Sequence, residues 1–368
     1  MTNLSIIFLL ASMLMTSNAQ TLKNEFINHD NKTREFLIYV PESYDETKQQ
    51  PLLFNFHGGG GTASSYLEYV DMRDLAENRQ FILVYPQGSQ IDSKEGKKNE
   101  THWNPDLKSV KFNKSDADDY GFLESMIENI SSNYSINLNR VYVCGFSNGA
   151  DFALSAACYL HNKIAAAASV SGLQSGEIIK SSSPNPPKGI MLVHGTSDYS
   201  RPYNEGLKYF GITFNMSVPD ILNYWVDVNK LEDDPVKMSF NIEGQDIDHF
   251  SYFNSNKKPL IEHYKIINGG HEWYDFEING ESLNEIIWDF LSEHKIKEFG
   301  LVITPINAFP FTLTFSSKKD AVYFMEVSDD LTNWLKLREI RGSGNQIEVA
   351  DSRDAVFKKQ YYRMRVEY

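Results

Sequence analysis

Val141-Tyr142-Val143-Cys144-Gly145-Phe146-Ser147-Asn148-Gly149 is the stretch on which the fold turns. An apolar, β-branched run climbs to Gly145, a serine stands between two glycines, and the alanine-rich segment Ala150–Ala157 follows. The pattern is strand, sharp turn, helix, with G-x-S-x-G on the turn. Such a turn forces its serine into a strained backbone conformation. The flanking residues must be glycines, because a Cβ there would collide with the neighbouring strand and helix. The hydroxyl then stands clear of the sheet, and the helix behind it aims unpaired N–H groups and a positive dipole end at the same point. Ser147 is the expected nucleophile.

Working outward, three more segments carry chemistry. Upstream, Pro51–Phe56 reads as a buried strand that runs into His57-Gly58-Gly59-Gly60-Gly61. Consecutive glycines leave backbone N–H groups bare and able to approach a ligand, as an oxyanion hole requires. Asn148, the residue after the nucleophile, supplies one expected donor and Gly59 the second, with Gly60 beside it at the substrate; a merely flexible turn is the alternative. Downstream, Gly189–His194 is an apolar strand ending in Gly195-Thr196-Ser197-Asp198, and Glu262–Ile267 leads through Asn268-Gly269-Gly270 to His271. A serine hydroxyl is too weakly acidic to attack an ester at neutral pH, so an imidazole must take its proton. A buried carboxylate then fixes the tautomer and steadies the imidazolium. Ser147, Asp198 and His271 are therefore the expected triad. Among the nine histidines, His57 and His194 precede glycines at strand ends, where imidazoles hydrogen-bond loop backbone, and His263 alternates within a strand. Asp220 and Asp227 compete with Asp198 but fall in a helical stretch, 219–231.

These segments, with Phe81–Gly88, Trp103-Asn104, Asp118–Leu123, Pro202-Tyr203 and Gly269–Trp273, resemble the polyhydroxybutyrate depolymerase-like esterases, which overlap the feruloyl and acetylxylan esterases of the first carbohydrate esterase family. The resemblance covers roughly residues 30–297. It implies an α/β-hydrolase domain that cleaves carboxylic esters on polysaccharides or polyesters such as polyhydroxybutyrate, with no cofactor. A non-catalytic carbohydrate-binding or adhesion protein on the same scaffold is the rival from another class, and a peptidase or lipase a third.

Strand-like runs at 34–40, 51–56, 81–85, 141–144, 189–194 and 261–267 alternate with helical patterns at 66–78, 119–134, 148–160, 219–230 and 283–294. That alternation predicts an α/β, doubly wound, mostly parallel sheet covered on both faces, with chemistry at the carboxyl ends of its strands. After residue 298 the period shortens to two. Six short strands separated by turn residues predict a small all-β sandwich, immunoglobulin- or fibronectin-like, over 299–368, with Trp334 in its core. The expected division is thus 1–19, 20–298 and 299–368.

Residues 1–19 carry the apolar run Leu4–Met15 and end in Ser17-Asn18-Ala19, the small residues a signal peptidase reads. This predicts a secretory signal and an extracellular or periplasmic destination, a short N-terminal anchor being the alternative. A formal charge of −14 argues against nucleic acid and against anionic membrane as partners. Export permits disulfides, yet Cys144 and Cys158 lie on a strand and several turns down the next helix, which predicts two buried free thiols. Asp118 and Asp119 are adjacent at a helix start, where carboxylates cap N–H groups, and not spaced as glycosidase acids. His271-Glu272 lacks the second histidine of a metalloprotease motif, so no metal is expected. Trp273 is expected at the mouth of the substrate pocket and Trp103 on its opposite wall, a packing role being the alternative for both.

Overall fold

The computed structural model describes residues 21–91, 100–111, 113–182, 184, 188–209, 212–296, 303–308, 310–317, 319, 321–353 and 360–367. The expected signal segment, 1–19, lies outside the described residues. The chain divides into two compact units, one ending at Ile296 and the other beginning at Lys297.

The first unit opens with a hairpin, β1 (Thr21–His29) and β2 (Lys32–Val40), whose two turn residues Asp30 and Asn31 both take positive φ. That is the two-residue turn whose twist matches its strands, and Asp and Asn are the side chains that tolerate it. Then follow β3 (Gln50–Phe56), α1 (Ala63–Tyr69), α2 (Arg73–Arg79), β4 (Ile82–Pro86), α3 (Asp119–Asn133), β5 (Ile136–Phe146), α4 (Asn148–Tyr159), β6 (Ala166–Val170), the single turn α5 (Ile178–Ser181), β7 (Gly189–Gly195), α6 (Val218–Asn229), β8 (Val236–Ile242), β9 (Gln245–Phe253), β10 (Pro259–Ile266) and α7 (Leu283–Ser292). Ten strands make one sheet in the order β1-β2-β4-β3-β5-β6-β7-β10-β9-β8. From β4 to β10 every neighbouring pair is parallel, and antiparallel strands close both margins.

The central strands are buried on both faces, which is why they read as continuous apolar runs. Along β3, Leu52, Phe54 and Phe56 enter one core cluster while Leu53 enters the other. The expected helix over 66–78 is instead two helices. Asp71 Oδ1 accepts the Arg73 N–H at 3.0 Å, and the buried Tyr85 hydroxyl donates to Val70 O at 2.6 Å while accepting from the Met72 N–H at 3.1 Å. Those bonds take the backbone groups that a continuous helix would have used. Strands β1, β6, β8 and β9 escaped the sequence pattern. β6 is Ala-Ala-Ala-Ser-Val, poor in β-formers, and β8 is mostly exposed.

At the start of α3, Asp118 caps the Gly121 N–H at 3.1 Å. Asp119 is buried against the Arg34 guanidinium at 2.8 Å and also accepts the Asn104 N–H at 2.8 Å. Burial pushes the Asp119 carboxyl up, with Arg34 opposing. Removing either partner of such a pair strands a buried charge, at about 3–5 kcal/mol. Cys144 and Cys158 are free and buried, and burial raises both thiols, Cys158 to about 11.

The second unit is two antiparallel three-stranded sheets. One contains β11 (Ile303–Ala308), β12 (Phe311–Ser316) and β15 (Gln346–Ala350); the other contains β13 (Val322–Ser328), β14 (Leu335–Arg341) and β16 (Tyr361–Glu367). Leu313, Phe315 and Val349 from the first sheet meet Tyr323 and Met325 from the second in one apolar cluster, so the sheets pack face to face. Trp334 is not in that core. It sits beside the edge strand β14, partly exposed, with the Arg363 guanidinium over its ring at 4.1 Å. An edge strand with a largely exposed burial pattern offers it no interior to enter.

Several histidines are buried and neutral in the first unit. His263 donates from Nδ1 to Leu192 O at 3.1 Å and accepts at Nε2 from the Tyr203 hydroxyl at 2.7 Å; burial holds its pKa down to about 3. His294, also buried, is held down to about 3 for the same reason. A depressed folded pKa means that the unfolded chain binds protons first. The stability from these groups is complete above about pH 6.5 and is lost as pH falls toward the folded values. Thermal unfolding measured against pH is expected to show Tm falling steadily below pH of about 6.5, and His263→Gln is expected to flatten that slope.

Candidate active site

The turn between β5 and α4 is built as tightly as backbone permits. Ser147 adopts φ 54°, ψ −122°, a strained conformation for a residue with a Cβ, at a cost of roughly 1–3 kcal/mol. A Cβ on Gly149 would lie 2.2 Å from Phe56 O, and one on Gly145 would lie 2.6 Å from Gly149 C. Only glycine lets α4 lie this close across the end of β3. The Ser147 N–H is bonded to Val170 O at 3.0 Å, and Ser147 O accepts the first helical bond, from Asp151 N, at 2.9 Å.

Beside it, the loops after β7 and β10 are laced together. The Thr196 N–H reaches Ile266 O at 2.9 Å, the Ser197 N–H reaches Gly269 O at 2.9 Å, and the Asn268 N–H reaches Thr196 Oγ1 at 2.7 Å. A Cβ on Gly195 would lie 2.2 Å from Gly269 O, so this crossing also depends on a glycine. The Tyr274 hydroxyl donates to Gly270 O at 2.6 Å and steadies the histidine loop. The result brings three distant side chains together: His271 Nε2 is 2.9 Å from Ser147 Oγ, and His271 Nδ1 is 2.8 Å from Asp198 Oδ2. Asp198 is 4% exposed, and its Oδ1 accepts the backbone N–H groups of Ser200 at 2.8 Å and Arg201 at 2.7 Å. A carboxylate so held is aimed at the ring and accepts from Nδ1, the proton-bearing nitrogen. That leaves Nε2 free to accept from the serine hydroxyl.

The glycine loop and the serine turn face one another. A Cβ on Gly58 would stand 3.4 Å from Ser147 Cβ, and one on Gly59 would stand 3.7 Å from Asn148 Cβ. The Gly60 N–H is already given to Thr101 O at 2.8 Å, and the Gly61 N–H to Gly58 O at 3.0 Å. Asn148 also works through its side chain. Its Oδ1 accepts the Trp103 N–H at 2.7 Å and its Nδ2 donates to Trp103 O at 3.0 Å, clamping the 101–104 segment against the start of α4. Trp103 itself does not line a pocket wall. Its ring is fully buried, stacked on Phe152 at 5.5 Å, with Nε1 donating to His57 O at 3.0 Å. An indole between two core aromatics has no solvent face, which corrects its expected place. Trp273 is partly exposed, two residues after His271, and its Nε1 donates to Asn284 Oδ1 at 3.1 Å.

The competing histidines bond to backbone or to neighbouring side chains. His57 donates from Nδ1 to Gly58 O at 2.7 Å and accepts the Gly88 N–H at Nε2 at 2.9 Å; burial lowers it to about 4. His194 Nε2 donates to Arg201 O at 2.8 Å, and burial lowers it as well.

Two residues of consequence had no sequence signal. Arg201 forks onto the Asp151 carboxylate, Nε at 3.1 Å and Nη2 at 2.8 Å, in the first turn of the nucleophile helix. Asp151 also accepts the Leu173 N–H at 2.7 Å and is 2% exposed. One residue thus binds the Asp198 carboxylate through its backbone and the Ser147 helix through its side chain. Their 50-residue separation hides the pairing in the linear chain. Among the described residues, no group of three or more His, Cys, Asp or Glu side chains is arranged to hold a metal ion, and no helix is long and apolar enough to cross a membrane.

Residues 40–214 match the phospholipase/carboxylesterase family model. A bifunctional acetylxylan esterase/xylanase of Neocallimastix patriciarum is 25% identical over 271 residues, 73% of this chain and 35% of that protein. Feruloyl esterase B of Piromyces equi is 27% identical over 274 residues, 73% of this chain and 46% of that one. The chain therefore matches less than half the length of either relative. The solved acetyl xylan esterase from Aspergillus awamori superposes with a TM-score of 0.53 at 13% identity, over 73% of this chain and 98% of that structure. The superposed structure, the parallel sheet and the strained serine turn at its carboxyl end give the first unit the α/β-hydrolase fold.

Proposed function

We propose that the chain is a secreted serine carboxylic-ester hydrolase that works through an acyl-enzyme on polysaccharide-linked esters, feruloyl or acetyl. The observation that carries this is the unbroken line from Asp198 through His271 to Ser147, with bonds of 2.8 and 2.9 Å. Ser147 Oγ attacks the ester carbonyl as His271 Nε2 takes its proton. The carbonyl oxygen becomes an oxyanion that accepts from the N–H groups of Asn148 and Gly59. Collapse expels the alcohol, which receives the proton from His271. Water, deprotonated by the same imidazole, then repeats the sequence on the acyl-enzyme and frees the acid. Asp198 holds the ring through Nδ1 in both steps. The acyl group is taken as feruloyl or acetyl on the strength of the relatives' names, and polyesters such as polyhydroxybutyrate remain within reach of the same machinery. Export is supported by the apolar run Leu4–Met15 and the small residues before Gln20.

Purified protein is expected to hydrolyse methyl ferulate or acetylated xylan faster than a short 3-hydroxybutyrate polyester. Ser147→Ala is expected to lose at least about a thousandfold in turnover of whichever is cleaved. Equal rates for Ser147→Ala and the unaltered protein would remove the reading. Arg201→Ala is expected to lower kcat by roughly ten- to a hundredfold with KM little changed, because the Asp198 turn loses its brace to α4. Arg201→Lys is expected to recover part of that loss, whereas a general folding defect would appear in the circular dichroism melt of both variants.

A further inference from the structure

Tyr199 follows Asp198 directly and is 86% exposed, a placement that packing alone does not reward in a large aromatic. Its ring stands edge-on to the His271 imidazole, with centroids 6.4 Å apart. Phe146 contacts the same imidazole at 5.0 Å, and Tyr69, 55% exposed, meets Phe146 edge-on at 6.0 Å. Solvent-facing aromatic surface is therefore gathered around the base of the triad. The acid loop does not use the Tyr199 side chain: the Asp198 carboxylate is held by the Ser200 and Arg201 N–H groups and by His271. Those same bonds fix the turn on which Tyr199 sits, so its ring is presented from a rigid base.

Resting on the esterase reading above, the geometry points to Tyr199 as the platform for the alcohol half of the ester, and to a sugar ring as the alcohol it accepts. The proton that His271 Nε2 takes from Ser147 must be handed to the departing alcohol oxygen, so that oxygen lies within hydrogen-bond reach of Nε2 at the moment of cleavage. The carbonyl oxygen lies on the other side, toward the Asn148 and Gly59 N–H groups. Whatever the alcohol oxygen is attached to thus extends from the reacting centre past the imidazole, whose ring Tyr199 meets edge-on. The C–H face of a furanose or pyranose matches a flat, exposed aromatic ring, and the phenol hydroxyl offers a bond to a sugar hydroxyl. A methyl group on the same oxygen is too short to span the 6.4 Å between the two rings. Tyr199 then discriminates between alcohols and leaves the acyl group to other walls.

The test holds the acid constant and changes the alcohol. With the full chain, kcat/KM is measured for methyl ferulate and for a feruloylated arabinofuranosyl oligosaccharide, in the unaltered protein and in Tyr199→Ala, Tyr199→Phe and Tyr199→Trp. Tyr199→Ala is expected to lower kcat/KM about tenfold for the sugar ester while leaving methyl ferulate within about twofold, and Phe and Trp are expected to restore most of the loss. Exposure of the side chain makes a folding defect an unsuitable explanation for a loss confined to one ester. An equal loss on both esters, or no loss on either, overturns the platform while the esterase reading stands. Failure of the unaltered protein to cleave either ester overturns the esterase reading and the platform with it.

Discussion

The approach of α4 to the end of β3 is the constraint from which the rest of the site follows. With no side chain at Gly145 or Gly149, the backbone of the serine turn rests against Phe56 O and His57 O, within the radius that any Cβ would occupy. The contact does three things at once. It throws Ser147 into positive φ, sets the N-terminus of α4 behind the hydroxyl, and aligns the glycine loop after β3 with Asn148. The apolar strands around it supply the stability that keeps such strain in place. Phe54 and Phe56 on one face and Leu53 on the other are fully buried, so the turn has no room to relax.

Much of this was legible in the chain because the chemistry sits where regular elements end. Buried parallel strands announce themselves as apolar runs, and the residues just beyond them, Ser147, Asp198 and His271, stand out against that background. Legibility failed where local composition and final environment disagree. Four buried positions of β6 are three alanines and a serine, a run that reads as helix or loop until its neighbours are known. The hairpin of β8 and β9 carries polar alternation at a sheet margin. Trp103 looked like a pocket residue because it precedes the loop to Asp118, yet the Asn148 amide clamps its backbone and the indole lies against Phe56 and Phe152. Trp334 shows the opposite case, a large apolar side chain in a small unit that an edge strand leaves partly outside. The Arg201–Asp151 pair was invisible for a different reason: ion pairs across the fold leave no periodic trace in sequence.

Electrostatics at the site is economical. The buried imidazoles of His57 and His194 have pKa values lowered by burial, so neither adds a positive charge to the site. Asp198 is satisfied by two backbone donors and one imidazole. Asp151 is in turn matched by Arg201. Each carboxylate near the nucleophile thus has its own partner, and neither competes for the base.

The acid and the base leave from strands that lie side by side. β7 and β10 are parallel neighbours, with His194 opposite Lys265 and Gly195 opposite Ile266, so the rungs of the sheet align the two loops whatever the chain does in between. Everything from Pro202 to Lys258, including α6 and the marginal β8–β9 hairpin, is spliced between two fixed points. Evolution is therefore free to lengthen, shorten or redecorate that insert, and with it the surface presented to a polymer, without re-registering the proton path.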